Sequence, residues 1–306
     1  MSTSGLYSVL KADRAFSDAR RGGEQRVRMF LPAGLPGSAS IEEAEQQVRA
    51  SLPPVPCVVV SHGFGSSRLG YSFIGESLAS HGVATIHVGH DRNEQRILAM
   101  GPAGHADFLA VLENRDSYRA RNGDVVAAID ALEAGLLDAG LPCRLDAGRL
   151  GFVGHSFGSH TGLLLAGARL AGSQRSFADP RPRAFALLSA PGLGERGLFE
   201  GSLTAIDRPV LLSYGTLDTG PKKQPASWRA STFDGLSADG NKLELVIEGA
   251  VHETFAGEAL EGVPPDPKQL ELIESALVAF FAEHLQHGPP AAQVLRSMPG
   301  TSLRTK

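Results

Sequence analysis

Cysteine is nearly missing: Cys57 and Cys143 are the only two in 306 residues. That excludes a disulfide scaffold and any four-cysteine zinc site, and buried free thiols are the reading for both. Long apolar runs are missing as well. No stretch approaches the roughly 20 apolar residues of a membrane-spanning helix. The opening residues, MSTSGLYSVLKADRAF, lack the basic start and apolar h-region of a signal peptide, so a cytoplasmic location is expected. A surplus of positive charge is absent too. Lys plus Arg is 29 and Asp plus Glu is 33, a net charge of −4, without the basic face that a nucleic-acid binder carries. No internal repeat and no low-complexity block interrupts the chain.

What is present is a chain 42% hydrophobic, enough for a sizeable core, and rich in glycine at 36 residues. The average glycine content is roughly 7%, so many tight turns and close backbone approaches are expected. Apolar runs of strand length alternate with helical patterns. Residues 56–61 (PCVVVS) form a β-branched run typical of a strand buried on both faces. Residues 84–88, 150–154, 184–189, 209–214 and 243–247 look similar. Between them Tyr71, Ile74 and Leu78 share a helical face, as do Val125, Ile129 and Leu132. Leu270, Ile273, Leu277, Phe280 and Leu285 mark a long amphipathic terminal helix. This alternation implies an α/β fold, a mostly parallel sheet with helices on both faces. Residues 26–31 (RVRMFL) alternate like an antiparallel edge strand, with residues 7–10 pairing to it. A single domain over residues 8–287 is expected, with a surface helix at 39–52 and a loose Pro/Gly/Ser-rich tail at 288–306.

The candidate chemistry sits beyond the ends of these strands. Gly154-His155-Ser156-Phe157-Gly158 matches G-x-S-x-G, between the run LGFVG and a helical segment over 159–170. Such a junction forces a serine into an unfavourable backbone conformation and exposes its hydroxyl, while the adjoining helix N-terminus supplies free N–H groups. Ser61-His62-Gly63-Phe64-Gly65 follows an earlier strand, and a glycine-rich loop there can aim a backbone N–H at a developing oxyanion. The N–H groups of Phe64 and Phe157 are the candidate oxyanion donors. A phosphate loop fits less well, because neither G-x-G-x-x-G spacing nor a Lys-Ser/Thr ending is present. Asp218, in Gly215-Thr216-Leu217-Asp218, stands where a carboxylate can orient a histidine. His252 follows the last strand. The order Ser156, Asp218, His252 is nucleophile, acid, base, each beyond a strand.

Other residues compete for attention. His62 and His155 lie inside the motifs and read as structural. His87, His90 and Asp91 lack a further ligand at metal-site spacing, so no metal is expected. His90 and Asp91 instead read as pocket lining at the same sheet edge, and Trp228 as a second wall. Residues 91–121, with Ile97, Leu98, Met100, Phe108 and Leu109, could overhang that pocket. The connection over 191–208 is too short for the helical lid of many interfacial lipases.

On these residues the chain resembles the α/β-hydrolase superfamily across nearly its whole length. The closer likeness is to dienelactone-hydrolase-like and platelet-activating-factor-acetylhydrolase-like bacterial serine esterases, and more distantly to cutinase-like polyester hydrolases. DARRGGEQRVRMFLPAG, VVVSHGFGSSRLGYSFIGESLASHGVATIHVGH and GRLGFVGHSFGSH carry the likeness. It implies a lipase- or carboxylesterase-type serine hydrolase that needs no cofactor. Three departures stand out. Dienelactone hydrolases use cysteine where Ser156 stands. Acetylhydrolases of the platelet-activating-factor type carry their acid after the preceding strand, where this chain reads Ser189-Ala190-Pro191-Gly192, which favours Asp218 over Asp179. Ser159 and His160 replace the small residues common after the elbow, and His160 has no role at this level.

The expected substrate is a small or medium ester with an apolar part. Amidase, peptidase, thioesterase and transacylase activity could use the same residues, and a non-catalytic ligand receptor is the reading from another class. The terminal helix and residues 39–52 could support a homodimer, though no residue pattern compels one.

Overall fold

The computed structural model describes residues 5–18, 20, 22–34, 53–90, 93–260 and 262–306. Among these residues nine strands form one sheet in the order β1-β2-β4-β3-β5-β6-β7-β8-β9. They are β1 Ser8–Asp18, β2 Gly23–Gly34, β3 Val55–Ser61, β4 Ala84–Val88, β5 Leu145–His155, β6 Pro182–Leu188, β7 Val210–Gly215, β8 Lys242–Ile247 and β9 Thr301–Thr305. The strands from β4 across to β8 are parallel, while the β1–β2, β2–β4 and β8–β9 pairs are antiparallel. The helices are α1 Ser72–Ser80, α2 Asn93–Ala99, α3 His105–Glu113, α4 Arg115–Glu133, α5 Phe157–Ala166, α6 Ser227–Gly235, α7 Pro267–Gln286 and α8 Ala291–Leu295. Among the described residues no helix is long and apolar enough to cross a membrane. This is the α/β-hydrolase architecture.

The apolar runs form strands because both sheet faces are covered. Alternate β3 residues point to opposite sides. Cys57 and Val59 join the core beneath α4 and α5, whereas Val58 and Val60 join the core beneath α1 and α7. Local signals set the helix starts. Asn114 accepts the Asp116 N–H at 2.9 Å to cap α4, and Asp266 accepts the Lys268 N–H at 2.9 Å ahead of Pro267 to cap α7. Both cysteines are buried.

Two expectations change. The segment read as an edge strand lies inside the sheet, because β2 pairs β4 as well as β1, and β1 itself is the edge. The tail at 288–306 is not loose. Ala291 and Leu295 of α8 are buried against α7, and β9 adds to β8 with Leu245 opposite Leu303. Arg304 reaches Glu244 and Asp234. Its polar composition hid a strand of only five residues that is stabilised by the neighbouring edge, not by a hydrophobic face of its own. The helix expected at 39–52, and Asp91, lie outside the described residues.

Candidate active site

The parallel strands deliver their C-terminal ends to one edge of the sheet, where ligands bind in open α/β folds. The loop His62–Gly65 follows β3, Ser156 follows β5, Ser189 follows β6, Asp218 follows β7 and His252 follows β8.

Ser156 sits between β5 and α5 with φ 53° and ψ −110°, a conformation that L-residues avoid. Its N–H bonds to Leu188 O at 2.9 Å, and its carbonyl accepts the His160 N–H at 3.2 Å, so strand and helix both hold it. The turn is tight enough to demand glycine on both sides. A Cβ on Gly154 would overlap the Gly158 carbonyl, and a Cβ on Gly158 would overlap the Ser61 carbonyl. Ser159 brings its hydroxyl within 2.7 Å of Gly154 O and 2.6 Å of Leu188 O, joining the elbow to β6.

Asp218 is fully buried, and His252 Nδ1 lies 2.9 Å from its Oδ1. The Arg229 guanidinium on α6 reaches the same oxygen at 2.7 Å, and Ser189 Oγ donates to Oδ2 at 2.5 Å. Burial alone would raise this carboxyl. The hydrogen bond and charge of His252, then Arg229 and Ser189, outweigh burial and bring it down to about 2. Arg229 also donates to the Asp218, Ser189, Ala190 and Thr219 carbonyls, tying the loops after β6 and β7 together.

Ser156 and His252 belong to one patch. The ring of His155, next to Ser156, is 4.7 Å from the His252 ring. Tyr71 lies 2.7 Å from His155 Nδ1 and accepts the Gly63 N–H at 3.0 Å. A Cβ on Gly63 would stand 3.5 Å from Ser156 Cβ, so the Ser61–Gly65 loop abuts the elbow. Burial, and then the neighbouring His252, keep His155 neutral. Both motif histidines are structural in this arrangement: His62 bonds Gly63 O through Nδ1 at 2.7 Å.

His90 does not line a pocket. Its side chain is wholly buried, with Nε2 2.9 Å from Ser61 Oγ and Nδ1 2.8 Å from Asp124 Oδ2. The strand-end position was legible, but the cover supplied by α4 was not. Trp228 is half-buried, donates Nε1–H to Leu193 O at 3.0 Å and packs on Gly192 and Gly220. Asp179 precedes β6, at the opposite end of the sheet from Ser156, and pairs with Arg181 at 2.5 Å. His160 bonds Arg196 O through Nε2 at 3.1 Å and packs 4.4 Å from the Tyr118 ring, so its role is to fasten α5 to the loop after β6. The overhang over 93–113 folds as α2 and α3 against the Ser61–Gly65 loop, with the Phe108 ring 4.8 Å from Phe64.

Residues with no motif around them complete the surroundings: Ser189, Arg229, Arg121 and Glu94. Arg121 and Glu94 form a buried ion pair at 2.8 Å. Only an unusual Arg or Glu inside an apolar context could have flagged them, and neither Arg121 on α4 nor Glu94 on α2 stands in one.

Sheet order and strand ends together define an α/β-hydrolase fold. Within that class, a family model described as "Platelet-activating factor acetylhydrolase, isoform II" matches residues 35–99, and over that stretch the chain is similar to this family. The match spans the Ser61–Gly65 loop, α1 and β4, and it supports a lipase- or esterase-type hydrolase. No curated protein matches the chain.

Proposed function

We propose that the chain is a serine esterase that cleaves carboxylic esters of small to medium, partly apolar substrates through an acyl-enzyme on Ser156. One observation carries the reading: a serine with φ 53° on a strand–helix turn shares a sheet edge with His252, which is paired at 2.9 Å to the buried Asp218. Asp218, ionised and buried, accepts from Nδ1–H of His252. That leaves Nε2 with its lone pair, the tautomer a general base needs.

His252 takes the Ser156 proton as Oγ attacks the ester carbonyl. The oxygen becomes anionic and is met by the N–H groups of Phe64 and Phe157. His252, now imidazolium beside Asp218, returns the proton to the leaving alcohol. Water then attacks the acyl carbon by the same route and frees the acid and Ser156. Exposed Leu217 beside Asp218, and exposed Leu98 against Gly65, favour an ester with an apolar part.

The test is an acyl-length panel of p-nitrophenyl esters, run with a fluorophosphonate probe on the wild type and Ser156→Ala. The wild type turns over esters and is labelled at Ser156, and the variant does neither while remaining folded. Retained turnover in Ser156→Ala overturns the reading. Matched ester and amide substrates, and added alcohols, separate hydrolysis of esters from amidase and transacylase activity.

A further inference from the structure

We propose that the buried Arg121–Glu94 pair is the positioning device of the oxyanion loop, fixing and polarising the peptide unit between Gly63 and Phe64. The proposal rests on the serine-esterase reading and adds to it two residues with no motif.

A trans peptide is one planar unit whose C=O and N–H point in opposite directions. No peptide bond among the described residues is cis. Whatever holds the Gly63 carbonyl therefore aims the Phe64 N–H. That carbonyl receives Arg121 Nη2 at 3.3 Å, His62 Nδ1 at 2.7 Å and the Ser66 N–H at 3.4 Å. Arg121 Nη1 donates to the preceding carbonyl, that of His62, at 2.8 Å. Glu94 completes the frame from the other side: Oε2 accepts the Gly65 N–H at 3.0 Å. The peptides on both sides of Phe64 are thus held by one ion pair.

The pair itself is rigid. Arg121 meets Glu94 bidentately, Nε to Oε1 at 3.0 Å and Nη2 to Oε2 at 2.8 Å, with the side chains only 3% and 8% exposed. Desolvation makes a buried ion pair a poor source of stability. What it does supply is fixed geometry and field. A cation on a carbonyl oxygen polarises the amide, so the N–H of the same unit becomes a stronger donor. That gain is realised when charge appears on the substrate oxygen, in the transition state.

The second donor is reached by the same group. The Arg121 guanidinium lies 4.5 Å from the centre of the Phe157 ring, bracing the residue whose N–H follows Ser156. A second buried relay stands behind the loop. Asp124, His90 and Ser61 are linked at 2.8 and 2.9 Å, and the His90 N–H approaches His62 Nε2 at 3.4 Å. With Nε2 accepting, His62 donates from Nδ1 to Gly63 O, in agreement with the burial that keeps its ring neutral.

The test compares Arg121→Gln, Arg121→Lys and Glu94→Gln in the full chain, using p-nitrophenyl butyrate and an alkyl trifluoromethyl ketone. Ser156 Oγ adds to the ketone carbon and its proton passes to His252. The oxygen becomes an oxyanion, and nothing leaves. In Arg121→Gln, kcat falls about 100-fold, the typical cost of one lost oxyanion donor, with KM little changed. Ketone affinity falls by the same factor as kcat/KM. Arg121→Lys, which keeps the charge, recovers part of both. If Arg121→Gln does not fold, Glu94→Gln carries the test, with the same parallel loss expected. A folded variant with wild-type kcat, or one whose kcat falls while ketone affinity stays, overturns the proposal. A wild type inert to both ester and ketone overturns the esterase reading, and this proposal with it.

Discussion

Ser189 donates its hydroxyl to Oδ2 of Asp218 at 2.5 Å, from a backbone with φ 52°. The two carboxylate oxygens therefore have separate partners, since His252 and Arg229 share Oδ1. Ser189 follows β6, and its hydroxyl caps the carboxylate supplied by the next strand, β7.

Removing that cap tests how far the carboxylate depends on it. A hydrogen bond to a charged group contributes about 1.5–3 kcal/mol. Ser189→Ala and Ser189→Gly should each lower esterase kcat/KM by about tenfold or more. The folded-state carboxyl, now at about 2 against an ordinary 3.8, should rise in both. A depressed carboxyl stabilises the fold fully above its unfolded pKa and loses that contribution as pH falls toward the folded value. The variants should therefore lose that contribution at a higher pH than the wild type. Gly should melt above Ala, because only Ala keeps a Cβ at positive φ. A wild-type kcat/KM in Ser189→Ala would show that the cap does not hold the acid.

The elbow makes a second prediction, about stability. At φ 53° and ψ −110° the Ser156 Cβ is strained, and such strain costs roughly 1–3 kcal/mol. Ser156→Gly and Ser156→Ala should be equally inactive. The Gly variant should nevertheless melt several degrees above the Ala variant, as relief of backbone strain exceeds the entropy gained by unfolded glycine. Equal melting temperatures would mean that the elbow stores no strain.

These residues divide by how visible they are in sequence. The strand-end positions of Ser156, Asp218 and His252 were legible because parallel strands announce themselves as apolar runs. Arg121, Glu94, Ser189 and Arg229 were not, since each is a common surface residue type made special by what covers it. His90 illustrates the converse. Its strand-end position suggested a pocket, but Asp124 on α4 comes from 34 residues away and seals it inside a relay. The β9 strand was hidden for another reason: it borrows its order from the β8 edge, a contact across about sixty residues that no local pattern records.

The β9 pairing can be removed directly. Deleting residues 299–306 leaves the outer edge of β8 unpaired, its other edge still held by β7, and takes Arg304 from the buried carboxylate of Glu244. Exposed sheet edges promote association. The truncated chain should elute as larger, salt-sensitive species in size-exclusion chromatography and melt lower than the full chain. A monodisperse truncation with an unchanged melt would assign β9 no stabilising role. Activity should survive wherever the truncated chain stays folded, because β9 lies at the sheet edge, beyond β8, and supplies no residue to the Ser156 patch.

Acid sensitivity should come in large part from buried histidines. Burial holds His87 and His160 down to about 3, against an ordinary 6.5. Between those values the unfolded chain binds protons that the folded chain refuses. The sign follows: each histidine favours the fold least at low pH, and stability falls as pH drops from about 6.5 toward 3, by up to about 1.4 kcal/mol per pH unit per group. His160→Gln keeps a donor for the Arg196 carbonyl but has nothing to protonate. It should be less stable than wild type at pH 7.5, having lost the packing on Tyr118. Its stability should nevertheless change less between pH 7.5 and 4.5, by about 2–3 kcal/mol. Urea unfolding at the two pH values measures both quantities. If wild type and His160→Gln lose the same free energy on acidification, His160 already takes up its proton in the folded state and the acid limb lies elsewhere.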